Sequence, residues 1–564
     1  MRLRLLAFAA PLVLLGACGS VPTPDLEARA PEAAADTPYG MFLAGSAALN
    51  EGRSDEAARF LDMARAGSGD EALVTERAFT AALIAGDVER AAALAPDGPD
   101  ASEPGKRMGR LVQAVEALAD GRGKPAQELL AGDAIGFPHR SAAALLAPWA
   151  AAQAGDVEGS LVRPQVRGDT LVDYFGQLNQ AYLFERARRF DEAETDFKAV
   201  TAGESPTELA VLAYGGFLER RGRRTEAVAL YEAGLQRNPS GVALQAAKAR
   251  ATAGKAAPSQ PTVKEGAALA LLAPAATMIA AKQGQIGLAY LRLALRLDPQ
   301  RNDAWLMVGD FLQAGGDIEG ARAAYARPKP GSPEHPAAQA KLAWSYQLGG
   351  DKAKAVELAR AAAATGDPDA RLTLADLLRA NEQYEEAVQI LGGLIGETQT
   401  PDWRLYFARG SALTQMDRWK EAEPDLLAAL KLRPDEPELL NFVGYSWIDR
   451  GERLKEAMAM VERAVAANPR SGAMVDSLGW AHYRLGDYKT AIEKLEQAVE
   501  LDAGDPEINN HLGDAYWMAG RKDEAVFQWR RVLTLDPDAK IKADAEKKLA
   551  SGLGPEAPRL AEQK

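Results

Sequence analysis

The side chains that could do chemistry in this chain are few and far apart. Its histidines are His139, His335, His482 and His511, and its one cysteine is Cys18. They lack metal-ligand spacing, and the chain has neither a Gly-x-Ser-x-Gly elbow nor a Cys/His pair suited to nucleophilic catalysis. His482 falls at a core-facing position of its helix, which indicates a structural role. The sequence therefore predicts a protein that is not an enzyme, with no catalytic residues, no cofactor and no metal site.

Cys18 is suited instead to lipid attachment. After a basic start, residues 5–15 form an apolar run of 11 residues. This run is too short to cross a bilayer, which needs roughly 20 residues in a helix, but it suits a secretory signal. It ends in Leu-Gly-Ala-Cys at 15–18, which resembles the bacterial lipobox, whose cysteine becomes the lipidated N-terminus. The alternative is an ordinary cleaved signal that leaves a cysteine behind. We expect residues 1–17 to be a lipoprotein signal peptide and Cys18 to be the lipidation site.

The residues after Cys18 predict where the protein resides. By resemblance to sorted lipoproteins, a residue other than aspartate at Gly19 favours the outer membrane, and several acyl chains would give stable anchoring. Residues 18–38 contain four prolines and no strong apolar pattern, which predicts a flexible tether that spans roughly 25 Å. The predicted location is therefore the periplasmic face of the outer membrane, with the chain anchored by lipid.

The overall charge limits the classes of partner. The net charge is −13 and the isoelectric point is near 5.2. Nucleic acid is not expected as a partner, because phosphate binding needs a basic surface. The same charge disfavours direct adhesion to anionic lipid, so the lipid anchor is the only membrane contact expected. An acidic surface would suit a basic partner.

The elements that position these residues follow a repeat of about 34 residues. Near the C-terminus, glycines recur at spacings of 34, 35 and 34, at Gly410, Gly444, Gly479 and Gly513. An alanine follows each glycine in turn, at Ala422, Ala457, Ala491 and Ala525. Small residues at these positions let two helix backbones approach closely, and a glycine turn between them ends the first helix. The register resembles the tetratricopeptide repeat (TPR), a pair of antiparallel helices, and predicts an all-α superhelical solenoid.

The alanine column extends upstream and gives about fourteen helix pairs. Its earlier members are Ala57, Ala91, Ala126, Gly159, Ala193, Ala227, Gly287, Ala321, Ala355 and Ala387. One step, between Ala227 and Gly287, is 60 residues long and holds either a hinge or an irregular extra helix pair. For the first four repeats a generic alanine-rich helical bundle is the alternative. We predict a signal peptide (1–17), a lipidated tether (18–38), an N-terminal repeat block (39–239), an irregular segment or hinge (240–266), a C-terminal repeat block (267–537), a capping helix (538–551) and a disordered tail (552–564).

The first helices of TPR pairs line the concave face, which is where a protein partner is expected to bind. Counting from the register at spacing i, i+4 and i+7, the partner-binding candidates are Asn441, Tyr445, Asp476, Trp480, Tyr483, Asn510, Asp514 and Trp517, with Ile448 beside them. Aromatic rings offer apolar area with a polar handle, and asparagine can pair with an extended backbone. The alternative is that the aromatics pack between neighbouring first helices. Arg484, one position beyond this face, could meet a carboxylate, whereas Trp529 is expected to be structural.

Two segments, 471–488 (SGAMVDSLGWAHYRLGDY) and 505–533 (DPEINNHLGDAYWMAGRKDEAVFQWRRVL), are more specific than the general repeat. They resemble the C-terminal repeats of proteobacterial outer-membrane lipoproteins built wholly of TPR units. One kind in that family is an adaptor that binds a periplasmic carboxyl-terminal processing protease and delivers substrates such as peptidoglycan hydrolases. The resemblance therefore implies an adaptor, with these two classes as partners. It implies no contact residues, because the repeat motif is structural.

Two functions remain open at this point. The leading one is a non-enzymatic, outer-membrane-anchored periplasmic scaffold that holds protein partners together on one solenoid. The alternative is a pilotin or assembly factor for a secretion, pilus or polysaccharide-export system.

Overall fold

The computed structural model describes residues 37–68, 72–132, 134–203, 206–238, 241–397 and 401–554. The predicted signal peptide, Cys18, nearly all of the tether and the tail from residue 555 onward lie outside the described residues. Every regular element in the described ranges is an α-helix, which confirms the all-α prediction.

The helices up to residue 363 are α1 (Pro38–Asn50), α2 (Ser54–Ser68), α3 (Ala72–Ala85), α4 (Val88–Ala93), α5 (Glu103–Ala119), α6 (Gly123–Leu130), α7 (Arg140–Ala154), α8 (Val157–Ser160), α9 (Thr170–Arg186), α10 (Phe190–Thr201), α11 (Glu208–Arg220), α12 (Arg224–Arg237), α13 (Val242–Thr252), α14 (Val263–Ala280), α15 (Gly284–Leu297), α16 (Asn302–Ala314), α17 (Ile318–Tyr325), α18 (His335–Leu348) and α19 (Lys352–Ala363). The remaining helices are α20 (Pro368–Ala380), α21 (Tyr384–Glu397), α22 (Trp403–Gln415), α23 (Trp419–Leu432), α24 (Pro437–Arg450), α25 (Leu454–Ala467), α26 (Gly472–Arg484), α27 (Tyr488–Leu501), α28 (Pro506–Met518), α29 (Lys522–Val532) and α30 (Ala539–Ser551).

These helices form the predicted TPR solenoid of fourteen pairs, with α13 left single and α30 closing the C-terminal end. All twelve alanines of the predicted column are completely buried, at 0 % exposure. The glycines of the first helices are equally constrained. A Cβ atom at Gly444 would lie 2.7 Å from a methyl carbon of Val461, and one at Gly479 would lie 2.7 Å from Leu495 Cγ. The small residues therefore set how closely the two helices of a pair approach, as the register predicted.

The chain divides into two compact units, with the division between Thr373 and Leu374. The irregular segment or hinge was predicted over 240–266. That segment holds one helix, α13, followed by a connection that is tied to earlier repeats. Gln260 Nε2 donates to the Tyr182 carbonyl at 3.0 Å, and Arg220 Nη1 donates to the Pro258 carbonyl at 3.2 Å. These contacts join the segment to the N-terminal unit. Hinge motion there stays a prediction.

Helices α14 and α15 pack back onto earlier helices of the N-terminal unit, which is why the chain does not divide before them. Helix α14 lies against α7 and α9, and α15 lies against α3, α4 and α5. At the closest approach, a Cβ atom on Gly266 would lie 2.1 Å from the Trp149 ring. By length and composition α14 could cross a membrane, but half of it is buried inside the protein, as in a core helix.

Three long-range polar contacts hold α15 in place. Arg296 makes a paired interaction with Glu116, at 2.8 Å from Nε and 2.7 Å from Nη2. Arg292 Nε donates to the Ile84 carbonyl at 2.9 Å. Tyr290 and His139 Nδ1 share a buried hydrogen bond of 2.7 Å. The inner side of the early repeats is therefore occupied by the chain's own α14–α15 pair.

Candidate functional site

The predicted groove residues lie on the successive first helices α24, α26 and α28 of the C-terminal unit, but they differ in exposure. Four are buried: Asp476, Tyr483, Asn510 and Asp514. Four keep part of their surface open to solvent: Asn441, Tyr445, Trp480 and Trp517. The neighbouring Ile448 is only 1 % exposed. This difference arises because each first helix packs on the next, α24 on α26 and α26 on α28.

A continuous stack of rings runs across these three helices. His511 lies flat on Trp480, with ring centroids 4.0 Å apart and an interplanar angle of 18°. Trp480 stacks in turn on Tyr483 at 4.5 Å and 12°. Tyr445 also lies near His511, with ring centroids 6.4 Å apart and the rings tilted by 39°. The predicted aromatic face is therefore one rigid ladder, to which the third helix contributes a histidine.

The histidine is held by a buried ion pair. His511 Nδ1 lies 3.0 Å from both carboxylate oxygens of Asp476, and both residues are nearly inaccessible to solvent. Burial alone would lower the pKa of His511, but the charge and hydrogen bonds of Asp476 outweigh it and raise the pKa to about 9. At neutral pH the imidazole is therefore a cation that donates to Asp476 and stacks on the indole face of Trp480, where the ring quadrupole favours positive charge.

Asn510 and Asp514 were predicted to line the groove, but both side chains are buried against the C-terminal cap. Asp514 accepts a hydrogen bond from Trp529 Nε1 at 3.0 Å and from Lys548 Nζ at 2.8 Å. Asn510 donates to Asp544 at 2.9 Å and accepts from Lys548 Nζ at 3.1 Å. Both side chains thus bind the capping helix α30, which packs where the next repeat would otherwise stand.

Trp517 is also covered by the C-terminal end of the chain. Its ring lies 5.2 Å from Trp529, and a Cβ atom on Gly552 would fall 2.2 Å from it. Trp529 itself is completely buried, in agreement with its predicted structural role. Partner contact at Trp517 stays a prediction. The covering residues leave less of the Trp517 side chain accessible to a partner.

The open part of the face is centred on Asn441, Tyr445 and Trp480. Among the described residues, neither Asn441 Oδ1 nor Trp480 Nε1 has a hydrogen-bond partner, although both atoms are buried. The Tyr445 hydroxyl donates to Glu507 Oε1 at 3.1 Å. Burial and the negative charge of Glu507 raise the pKa of Tyr445 well above its ordinary value. We call these three residues the ladder face. It offers partly exposed ring and amide surfaces, which suit the side chains of a bound protein segment.

Sequence reasoning missed His511, although a signal for it exists. Polar contacts between neighbouring first helices join residues that are 35 positions apart in the sequence, which is one repeat plus one residue. Arg484 Nη1 donates to the Asp449 carbonyl at 2.7 Å and lies 3.2 Å from the Asp449 carboxylate, so the carboxylate expected near this arginine belongs to the chain itself. Glu185 and Arg220 pair in the same way in the N-terminal unit. The same spacing joins Asp476 to residue 511. By contrast, His482, predicted to face the core, keeps part of its surface exposed and pairs with Asp487.

Comparison with known proteins supports the repeat assignment. The profile of one family, described as tetratricopeptide repeat, matches residues 178–242, 278–336, 407–472 and 477–540. These four stretches are TPR segments and include the ladder face. A relative, the TPR repeat-containing protein PA4667 of Pseudomonas aeruginosa, is 33% identical over 141 residues. The match covers 25% of this chain and only 23% of that protein.

Two solved structures match this chain at low sequence identity. The Cut9–Hcn1 assembly of APC/C matches at 15% identity and a TM-score of 0.39, over 91% of this chain and 96% of that one. A tetratricopeptide repeat protein from Parabacteroides merdae matches at 14% identity and a TM-score of 0.38, over 44% of this chain and 98% of that one.

Among the described residues, no cluster of three or more His, Cys, Asp or Glu side chains is arranged to hold a metal ion.

Proposed function

We propose that this protein is a non-enzymatic scaffold that binds an envelope protein on the ladder face of its C-terminal unit. The observation that carries the proposal is the ordered stack of rings, in which Trp480 lies between His511 and Tyr483 and keeps part of its surface open to solvent. Aromatic rings of this kind offer a partner apolar area together with a polar handle.

Preorganisation adds to the case for this face. The Trp480 ring is fixed between His511 and Tyr483, so little side-chain entropy remains to be lost on binding. Partly exposed, rigid tryptophan and tyrosine side chains are the residue types that dominate protein-binding hot spots. In the N-terminal unit the corresponding inner side is filled by α14 and α15, which favours the C-terminal unit as the binding region.

The finer role proposed is that of an adaptor on a membrane anchor. Lipid attached at Cys18 would hold the chain at the periplasmic face of the outer membrane, and the scaffold would bring a carboxyl-terminal processing protease together with peptidoglycan hydrolases. Confining both partners to one scaffold raises their effective concentration without any new chemistry. Support for this role comes from the lipobox-like sequence at 15–18 and from the family resemblance of segments 471–488 and 505–533.

The experiment is a reconstituted degradation assay with a matched pair of variants. Purified protease and hydrolase are combined with the full chain, with Trp480→Ala and with Phe527→Ala. Phe527 is an equally aromatic control on the second helix α29 and is 62 % exposed. The proposal predicts that the parent chain accelerates hydrolase degradation, that Trp480→Ala loses most of this effect, and that Phe527→Ala keeps it.

Other outcomes would overturn separate parts of the proposal. If the parent chain does not accelerate degradation, the adaptor role is wrong. If secretion, pilus or export subunits copurify with the chain instead, the protein is an assembly factor. If Phe527→Ala and Trp480→Ala lose the effect equally, the binding face is misassigned.

A further inference from the structure

A strip of unpaired cations lies along one edge of the N-terminal unit. It is formed by the turns after three neighbouring helices, α9, α11 and α13. We call it the basic edge, and its members are the exposed side chains of Arg186, Arg188, Arg221, Arg224 and Lys255. The strip stands out because the chain as a whole carries a net charge of −13.

Direct contacts hold the three turns side by side. Arg220, just before the second turn, makes a paired interaction at 2.7 Å with Glu185, just before the first. The guanidinium of Arg221 lies 3.9 Å above the ring of Phe190, which follows the first turn. Arg224 Nη2 donates to the Lys255 carbonyl in the third turn at 3.2 Å. The cations therefore form one continuous surface rather than scattered charges.

The acidic side chains near this edge are already neutralised by other bases. Arg189 pairs with Glu192, Arg223 pairs with both Glu194 and Glu226, and Lys198 also pairs with Glu194. The exception is Asp191, an exposed carboxylate at the start of α10. Among the described residues, none of the five members of the basic edge has a carboxylate within ion-pairing distance. Five positive charges thus face solvent against one negative charge.

The composition of the edge indicates the class of partner. A protein interface needs buried aromatic or aliphatic anchors, whereas the rings of Phe190 and Phe184 at this edge are covered by Arg221 and Arg189. Val242 is the one large apolar side chain exposed in the described part of 180–255. A surface of long cations without anchors binds by charge alone, as juxtamembrane basic clusters do on anionic lipid.

We propose that the basic edge binds the anionic headgroups of a phospholipid membrane. The proposal is independent of the ladder face and of the adaptor role. It departs from the expectation, based on net charge, that the protein does not adhere to anionic lipid. That expectation treats the charge as uniform along the chain, whereas the acidic and basic residues are unevenly distributed. Residues 374–564 contain 34 acidic and 25 basic residues, a net of −9, whereas residues 1–373 contain 45 and 41, a net of −4. The basic edge lies in the less acidic part.

The test is vesicle cosedimentation of the full chain carrying Cys18→Ser, so that no lipid is attached. Vesicles contain either phosphatidylethanolamine with phosphatidylglycerol or phosphatidylcholine alone, at low and at physiological salt. The edge variant combines Arg186→Gln, Arg188→Gln, Arg221→Gln and Arg224→Gln. The matched control removes four exposed cations elsewhere in the same unit: Arg59→Gln, Lys124→Gln, Lys329→Gln and Lys352→Gln. Both variants change the net charge by the same amount.

The parent is expected to bind anionic vesicles in a salt-sensitive manner and to leave neutral vesicles unbound. One cation near such a surface is worth about fivefold in binding, so the edge variant should bind at least about tenfold more weakly than the control. Equal loss in the two variants, or equal binding to neutral vesicles, would overturn the proposal. So would binding of polyglutamate without any binding of vesicles, which would assign the edge to an acidic protein. Circular dichroism checks that both variants are folded.

Discussion

Because of the ion pair between His511 and Asp476, we predict that the C-terminal unit loses stability as the pH becomes alkaline. The pKa of His511 is about 9 in the folded protein, against about 6.5 in an unfolded chain. Because the folded pKa is the higher one, the stabilisation is fully present below pH 6.5 and is lost as the pH rises through 9. A shift of this size corresponds to about 3 kcal/mol at about 1.36 kcal/mol per unit.

The perturbation is Asp476→Asn, which removes the charge but keeps a hydrogen-bonding side chain of the same size. Without the carboxylate, burial dominates and should bring the pKa of His511 below its ordinary value. We expect the variant to be less stable than the parent at pH 6.5 by about 3 kcal/mol. We also expect this difference to vanish at pH 10.

The assay combines two readouts on the full chain. With only four histidines in the sequence, NMR titration of the imidazole Cε1–H signals gives the pKa directly, and His511→Gln assigns the resonance. Urea denaturation, followed by tryptophan fluorescence, measures the free energy of unfolding at each pH. The reasoning fails if His511 of the parent titrates near 6.5, or if Asp476→Asn leaves the pH dependence unchanged.

Three further predictions concern packing and charge. Gly266→Leu should destabilise the N-terminal unit by about 1–3 kcal/mol or more, because its side chain would overlap Trp149; urea denaturation measures the loss. Lys548→Met should lower the free energy of unfolding by about 3–5 kcal/mol, because it leaves the buried Asp514 carboxylate without its cation. The double variant Lys548→Met/Asp514→Leu should recover most of the lost stability. Burial, with a contribution from a neighbouring arginine, lowers the pKa of His139 to about 4. The N-terminal unit should therefore lose stability as the pH falls from 6.5 to 4. His139→Gln should weaken this pH dependence.

The first two of these predictions have a control on the same helix. Thr277→Leu adds the same side chain at an exposed position of α14 and should be nearly neutral, whereas equal effects of the two leucines would mean that the Gly266 contact is unimportant. Lys547→Met removes an exposed lysine next to Lys548 and should change stability by less than about 1 kcal/mol. For His139, an acid transition that is the same in parent and variant would contradict the assignment.

The sequence predicted the repeat register well because that register is set by sterics. Ala457 and Ala491 are completely buried where the two helices of one pair meet, and only a small side chain fits there. The spacing of small residues within one repeat is therefore enough to predict these positions. The same holds for glycine turns such as Gly486, whose φ of +82° suits residues without a Cβ atom. These contacts occur between neighbours in sequence, where periodicity carries the information.

Contacts between distant repeats could not be predicted in this way. Nothing in the spacing of Gly266 shows that α14 will meet Trp149, because that contact depends on how tightly successive pairs curve. The burial of two candidate residues could not be predicted for a related reason. Asn510 and Asp514 occupy groove positions of the register, but the groove ends at the cap, where Lys548 takes the place of a partner.

The central claim, that the ladder face is the protein-binding surface, is tested most directly by site-specific photocrosslinking in living cells. A photoreactive amino acid is placed at Tyr445 on the ladder face and, in a second strain, at Phe527, which is exposed on the second helix, α29, of another pair. We predict crosslinks from position 445 to an envelope protein, identified by mass spectrometry, and none to that protein from position 527. Crosslinks to the same protein from position 527 alone would contradict the claim.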